Sequence, residues 1–441
     1  MAVADDAAVR RRPAGRLRWW IGGLLFASTV INYVDRQTLS NLAPFLKKDY
    51  GWTNTDYAYL IISFRVAYSI GQTLCGRLVD RLGTRRGLTL SVIWYSAASV
   101  LTSLATGFYS FAAFRFLLGI GESANWPGAT KAVSEWFPKR ERGLATALFD
   151  SGSSIGGAVA PFIVLAIYFR WGWRPAFVVP GLLGLLWLAA WRRFYHTPET
   201  HPLIGDEERE MIRRDKLEDE PEPGTRPRAS WSTLLRLPQT WGTIAARSLT
   251  DPVWFFVTDW FPVYLVAKGI KLEEGLFAFW IPFVAADVGN FFGGWVSGHL
   301  IKRGWALGAA RKAVVVFGGL GVTALIPTVL TTNLFAIASL FGFATFSYAC
   351  FTTIANVLPS DLFHSESVAS VSGLSGTGAG LGTIAAFLLV GYVSDARQAT
   401  GTHAFDPIIV VAGLIPLAGM ALVLLLVRNT RATDAGLVRR I

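Results

Sequence analysis

Long apolar runs, broken by short clusters of charged and turn residues, recur twelve times along the chain. The pattern predicts helices near 19–42, 55–78, 87–106, 108–133, 143–168 and 174–194, then near 239–267, 274–300, 309–330, 332–356, 366–393 and 404–427. Crossing a bilayer takes about 20 apolar residues, so each run is a candidate span. The predicted fold is an all-α polytopic membrane protein with twelve transmembrane helices in two six-helix halves. Its parts are an N-terminal tail (1–18), a first bundle (19–194), a linker (195–238), a second bundle (239–427) and a C-terminal tail (428–441). The linker is dense in both signs of charge, as in Asp206-Glu207-Glu208-Arg209-Glu210 and Arg213-Arg214-Asp215-Lys216, so it stays out of hydrocarbon and is expected to form surface helices. Arginines precede the first run as they would a signal peptide. That run continues into Asn32-Tyr33-Val34-Asp35-Arg36 with no small-residue cleavage site, so it reads as a mature helix.

Composition agrees with the pattern. Only 16% of residues are charged, against about 25% in soluble domains, and the mean hydropathy is +0.41, which leaves no room for a large soluble domain. The two cysteines, Cys75 and Cys350, lie far apart in apolar runs and offer neither a disulfide framework nor a metal-ligand spacing. The net charge of +11 gains meaning from its placement. Of 41 Lys and Arg, 30 fall on the side that holds both termini, seven on the other (Lys47, Lys48, Arg170, Arg174, Lys268, Lys271, Arg397) and four within spans (Arg36, Arg65, Arg115, Arg247). The positive-inside rule then makes both termini cytoplasmic. The basic surplus serves topology and contact with anionic membrane lipid, and nucleic acid is not needed to explain it.

A charge at bilayer depth costs a few kcal/mol on insertion scales, so each intramembrane charge is expected to face a cavity or a partner. Arg115 and Glu122 are two helical turns apart on one face of span four. Arg65, Tyr68 and Gln72 form one stripe of span two, and Tyr33 and Arg36 share a face of span one, with Asp35 about a quarter turn away. These groups predict a wet, positive cavity that accepts an anion. Arg36 and Arg115 suit a carboxylate because the guanidinium fork pairs with it in two parallel hydrogen bonds and keeps its charge. Arg115 alternatively neutralises Glu122 or Asp35, and Arg65 either meets an extra anionic group or reaches the outer interface. In the second half Arg247 and Asp251, at i and i+4, are expected to satisfy each other. Asn290, Ser375 and Thr377 are candidate hydroxyl-binding groups, although the glycines around Ser375 and Thr377 also read as helix packing. Trp254 is a candidate ring-stacking residue.

Between spans two and three stands Gly76-Arg77-Leu78-Val79-Asp80-Arg81-Leu82-Gly83-Thr84-Arg85-Arg86. It resembles the signature loop of the major facilitator superfamily, and Gly76, Asp80, Arg81, Gly83, Arg85 and Arg86 are its candidate cytoplasmic gate. Physically, Asp80 can accept from a helix N-terminus or an arginine and latch the inner side shut. A decayed copy, Gly294-Trp295-Val296-Ser297-Gly298-His299-Leu300-Ile301-Lys302-Arg303-Gly304, has Gly298 in place of the aspartate, so any latch there must differ.

Within the superfamily the chain resembles the anion:cation symporter family over nearly its whole length. The matching pieces are residues 31–36, Arg115 to Glu122 running on to Asn125-Trp126-Pro127-Gly128, Glu135-Trp136-Phe137-Pro138, Gly172-Trp173-Arg174, Trp254-Phe255-Phe256 and Trp260-Phe261-Pro262-Val263-Tyr264-Leu265. Thr250-Asp251-Pro252-Val253-Trp254 is most similar to the hexuronate transporters. The resemblance implies a bacterial inner-membrane protein, working as a monomer, that imports a hexuronate or related sugar acid with protons. It further implies that Arg36 and Arg115 hold the substrate and that Asp35 and Glu122 carry protons. Burial and a neighbouring arginine act on such carboxyls in opposite senses, so substrate arrival can change their protonation.

Aldonates, aldarates, aromatic dicarboxylates and sulfonates present an anionic head to the same arginines, and Arg65 tilts the expectation toward dianions. Efflux of lipophilic cations fits less well, because Asp150-Ser151-Gly152-Ser153-Ser154-Ile155-Gly156-Gly157-Ala158-Val159-Ala160-Pro161 lacks the usual exporter pattern. A sensor that signals through its linker is a third class. An enzyme is the weakest reading: His196, His201, His299, His364 and His403 lie in loops or at span ends, and the glycine runs lack the context of a phosphate loop. No cofactor or metal is expected.

Overall fold

The computed structural model describes residues 16–52, 54–217, 229–270, 276–397, 403, 405–428 and 438. Most of both predicted tails, part of the linker and Lys271 lie outside the described residues. Among those described the chain is helical, with an isolated antiparallel bridge between Phe363 and Val438.

In chain order the helices are α1 (Leu17–Tyr50), α2 (Asn54–Leu82), α3 (Thr84–Thr102), α4 (Phe108–Glu122), α5 (Asn125–Trp136), α6 (Lys139–Trp171), α7 (Trp173–Phe194), α8 (Asp206–Leu217) and α9 (Trp231–Leu235). They continue with α10 (Pro238–Ser248), α11 (Asp251–Ala267), α12 (Leu276–Lys302), α13 (Leu307–Gly321), α14 (Leu334–Leu362), α15 (Val368–Ala396) and α16 (Asp406–Leu426), α13 running on as a 3-10 segment, Val322–Leu330. Among the described residues six helical stretches are long and apolar enough to cross a membrane: α6, α7, α13 with its 3-10 extension, α14, α15 and α16.

Every apolar run coincides with a helix or a consecutive pair, but two runs are broken where continuity was expected. Span four divides at Ser123-Ala124 and span seven at Leu249-Thr250. Each break lies just before a proline, Pro127 or Pro252, which has no N–H to give the carbonyl four residues back, Ser123 or Ser248. Several helices also outrun the apolar signal. α1 continues to Tyr50, with Lys47 and Lys48 in its last turn favoured by the helix dipole, and Gly51 closes it at φ 67 with its N–H bonded to the Lys47 carbonyl.

Among the described residues five apolar clusters hold the molecule together, two within the N-terminal helices, two within the C-terminal ones and a small one, Val79, Ala124 and Ala369, that joins the two groups. The two groups meet mainly along α2 against α15 and α6 against α12. Small residues allow that approach. A Cβ on Gly143 of α6 would come 3.1 Å from the Gly294 Cα of α12, and one on Gly376 of α15 would overlap the Gln72 side chain of α2.

The first described part of the linker, with α8, packs onto the N-terminal helices, whereas Ala229 and Leu234 of α9's segment join a C-terminal cluster. Glu208 of α8 accepts from the Leu17 and Arg18 N–H groups at 2.9 and 3.2 Å, capping the orphan donors at the start of α1, and pairs with the Arg18 guanidinium at 2.7 Å. Asp215 does the same for the start of α6, accepting from the Lys139 N–H at 3.1 Å.

Candidate functional site

The charged residues of α1 and α4 meet in the interior. The Arg36 guanidinium lies 4.8, 4.9 and 4.6 Å from the ring centres of Tyr33, Phe64 and Tyr68. It also bonds Glu122 Oε2 through Nε (3.1 Å) and Nη2 (2.9 Å). Glu122 is fully buried at the last turn of α4, and its Oε1 has no hydrogen-bond partner among the described residues. Three aromatic faces and a carboxylate therefore hold one cation in place.

Arg115, two turns earlier on the same helix, is almost fully buried with its guanidinium 4.8 Å from the Phe64 ring. Nη2 reaches the Arg36 carbonyl at 3.5 Å, while Nε and Nη1 have no hydrogen-bond partner among the described residues. Arg115 forms no direct ion pair with Glu122 or Asp35, so its charge acts on them at longer range. Asp35 points away from Arg36 toward α3, where Oδ1 accepts from Ser99 at 2.7 Å and Oδ2 has no described partner.

A central cavity opens beside this cluster, with about 570 Å³ of space including its open mouth. Tyr33 connects the two. The N-terminal wall also carries Trp126, Asp150, Ser153 and Ser154, and the C-terminal wall includes Arg247, Asp251, Trp254, Asn290, Tyr348, Thr352 and Asn356. Arg247 bonds Asp251 Oδ2 through Nε (3.2 Å) and Nη2 (3.0 Å), as their i, i+4 spacing predicts. Asp251 Oδ1 in turn accepts from Thr352 at 3.3 Å and Tyr348 at 3.5 Å. The Trp254 ring stacks parallel to Tyr348 at 6.1 Å, and Asn290 Oδ1 accepts from Thr353 at 2.9 Å.

The expected stripe on α2 is divided by its neighbours. Tyr68 stacks on Arg36, whereas Arg65 lies against Phe255 and Phe387 at 5.1 and 5.4 Å, and Gln72 is buried against α15. Of the expected substrate-binding residues, Tyr33, Trp254 and Asn290 line the cavity, whereas Arg36, Arg65, Tyr68, Gln72, Arg115, Ser375 and Thr377 are absent from the lining. Ser375 donates to the Ser372 carbonyl, and Thr377 bonds the Ser69 carbonyl at 2.5 Å and Thr73 Oγ1 at 2.7 Å, joining α15 to itself and to α2. Asp150, Ser153, Ser154, Tyr348, Thr352 and Asn356 were not singled out as site residues from the sequence. Two signals were available: Asp150 and Ser154 at i, i+4, and Tyr348, Thr352 and Asn356 at i, i+4, i+8, each a polar stripe in an apolar run.

At the end carrying the α2–α3 loop, two latches join the helix groups. Asp80 accepts from Lys131 Nζ at 2.9 Å and from the Ala369 and Ser370 N–H groups at 3.2 and 2.6 Å, so one carboxylate caps the start of α15. Gly76 allows the α15 backbone against α2, and Gly83, at φ 80, turns the chain between α2 and α3. Arg85 donates to the Arg192 carbonyl at 2.5 Å, while Arg81 and Arg86 are exposed.

The second latch departs from the signature copy. A Cβ on Gly298 would come 2.5 Å from the Arg140 carbonyl oxygen, so no aspartate fits there. Asp361 of α14 replaces it, pairing with Arg142 of α6 at 3.1 Å and Arg311 of α13 at 2.8 Å, all three fully buried. Arg311 also crosses to the Lys139 carbonyl at 2.8 Å.

The sequence model of the Major Facilitator Superfamily matches residues 25–310, and the chain belongs to that family. It is a multi-pass membrane protein of a transporter family rather than an enzyme. It is 31% identical over 421 residues to a hexuronate transporter of Escherichia coli (strain K12), covering 95% of this chain and 96% of that one. It is 31% identical over 433 residues to a probable galactarate/D-glucarate transporter of Bacillus subtilis (strain 168), covering 94% and 93%. The fold matches the proton:xylose symporter XylE bound to 6-bromo-6-deoxy-D-glucose with a TM-score of 0.70 at 15% identity, over 92% of this chain and 94% of that one.

Proposed function

We propose that the protein imports a small hydroxylated organic anion, a hexuronate or related sugar acid, by proton symport with alternating access. The observation that carries the reading is the caged Arg36–Glu122 pair beside a polar cavity. A protonated Glu122 loses its hold on the guanidinium, which is then available to a substrate carboxylate. Loss of the proton restores the internal pair and expels the anion, so the two solutes move together. Symport also fits the energetics, since an inside-negative potential opposes each entering negative charge by about 2.3 kcal/mol per 100 mV. The sugar-acid assignment draws on the relatives' named substrates and on a lining rich in hydroxyl, amide and carboxylate groups.

In this reading twelve spans place both termini in the cytoplasm of a bacterium, across its inner membrane. Residues 19–194 and 239–427 rock against each other as two bundles about the cavity, with 195–238 as a cytoplasmic linker. The two latches then lie on the cytoplasmic side, and the structure represents a state closed to the cell interior. Asp35, held through Ser99 by α3, is the second proton site. The protein functions as a monomer in contact with anionic lipid.

The test is Glu122→Gln in proteoliposomes. Galacturonate accumulation driven by a pH gradient should be abolished while exchange of labelled for unlabelled substrate persists. Normal accumulation in that variant refutes the role.

A further inference from the structure

The charges that line the cavity bear on which sugar acids enter. Arg36, which lies over the Tyr33 ring, and Arg115 stand behind the cavity rather than in its lining, and the lining itself carries two carboxylates, Asp150 of α6 and Asp251 of α11, against one guanidinium, Arg247 of α10. That guanidinium is already engaged by Asp251 through two hydrogen bonds. Asp150 faces Asn356 within the cavity, and Asp287 of α12 stands beside Ser154 at the margin, outside the lining. Arg65, the residue that made a dianion attractive, lies against Phe255 and Phe387 and does not line the cavity.

We infer that Asp150 and Asp251 are specificity-determining residues that select a monoanionic sugar acid, a hexuronate or aldonate, against the dianionic aldarate of the same length. The inference rests on the sugar-acid reading above. With Asp35 and Glu122 protonated in the loaded state, three guanidiniums of the interior face two carboxylates, a surplus of one positive charge that one substrate carboxylate balances. A second carboxylate, at the other end of the six-carbon chain, has to settle among Asp150, Asp251 and the Tyr348, Thr352 and Asn356 groups, where it meets like charge in a desolvated site. Hydroxyls are welcome in the same place. A sugar hydroxyl donates to Asp251 or Asp150 and accepts from Tyr348, Thr352 or Asn356, whereas a carboxylate only accepts and leaves the Asp oxygens unpaired with it. Specificity here comes from a repulsive element as much as from an attractive one.

The experiment is displacement of labelled galacturonate from the purified full-length protein by galacturonate, galactonate and galactarate, which share a six-carbon chain and hydroxyl arrangement. Native protein should favour the two monoanions at least tenfold over galactarate. Asp251→Asn frees Arg247 for a second carboxylate and should bring galactarate at least tenfold closer to galacturonate. Asp150→Asn should move the ratio in the same direction by less, and it carries the test if Asp251→Asn does not fold. Galactarate displacing the label as well as galacturonate in native protein overturns the inference and leaves the sugar-acid reading standing, as does an unchanged ratio in the folded variants. If none of the three binds, by displacement or by raising the melting temperature, both fall together.

Discussion

Replacing Asp361 by asparagine tests the second latch, because the carboxylate joins a guanidinium from each helix group. Removing one partner of a buried ion pair typically costs about 3–5 kcal/mol. Several contacts place this case near the lower bound. Arg142 keeps the Phe137 and Ser360 carbonyls at 3.1 and 2.8 Å, and Arg311 keeps Ser297 Oγ at 2.7 Å and the Lys139 carbonyl. Asparagine also preserves one acceptor oxygen. Only part of the loss acts on opening, since the Arg311–Asp361 pair lies within the C-terminal helices and persists whether or not the groups separate. The Arg142–Asp361 pair crosses between them. Assigning half of about 3 kcal/mol to that crossing pair shifts the equilibrium of the proposed rocking motion toward separated helix groups by about tenfold. The reporter is a cysteine at Ser372 of α15, a residue 4% exposed whose hydroxyl reaches Thr130 of α5 at 3.3 Å across the closed interface. Its alkylation by a membrane-permeant maleimide, followed by mass spectrometry of that peptide, should quicken about tenfold in Asp361→Asn. An unchanged rate in a variant that elutes and melts as a folded protein refutes the latch.

Gly298→Asp restores the residue type of the first signature loop, yet it should reduce folded yield sharply, because its Cβ meets the Arg140 carbonyl at 2.5 Å between packed helices. Fluorescence-detected size exclusion reads this, and a normal monodisperse peak would show that α6 and α12 yield more than the packing implies. The docked linker should loosen in acid. His201 Nε2 donates to the Phe194 carbonyl at 2.9 Å while Nδ1 accepts from the Leu203 N–H at 3.0 Å, a neutral tautomer, and burial holds the imidazole below its ordinary value with the Arg209 charge acting the same way. The docked state then binds fewer protons than the undocked one. Its stability is full above about pH 6.5 and declines as pH falls below it. Hydrogen exchange in α8 should accelerate between pH 7.5 and 5.5 after correction for intrinsic rates, and a flat profile would dismiss His201 as the cause.

The Asp80 latch shows how far local chemistry reads from sequence. A signature loop with an aspartate after a glycine suggested an acceptor for a helix N-terminus, and the Ala369 and Ser370 N–H groups are found on it. Arg247 and Asp251 were likewise paired by spacing alone. In contrast, the second latch was invisible, because Asp361, Arg142 and Arg311 are distant in sequence and no periodicity relates them. The broken spans were readable in retrospect from Pro127 and Pro252, whose missing N–H acts locally.

The order of apolar runs determined the helices, since hydrocarbon tolerates only backbone that satisfies its own hydrogen bonds. Intramembrane charges likewise marked Arg36, Arg115, Asp35 and Glu122, because a charge at depth needs a reason to be there. Which partner each one takes was decided by the tertiary structure alone: Glu122 goes to Arg36, Asp35 turns to Ser99, and Arg65 leaves its stripe for Phe255 and Phe387. The same holds for the cavity lining, where Asp150 of α6 and Asp251 of α11 come together from the two helix groups. Helical periodicity fixes the face a side chain occupies on its own helix, but the neighbour across that face depends on how the helices pack, and that contact sets the charge of the cavity lining.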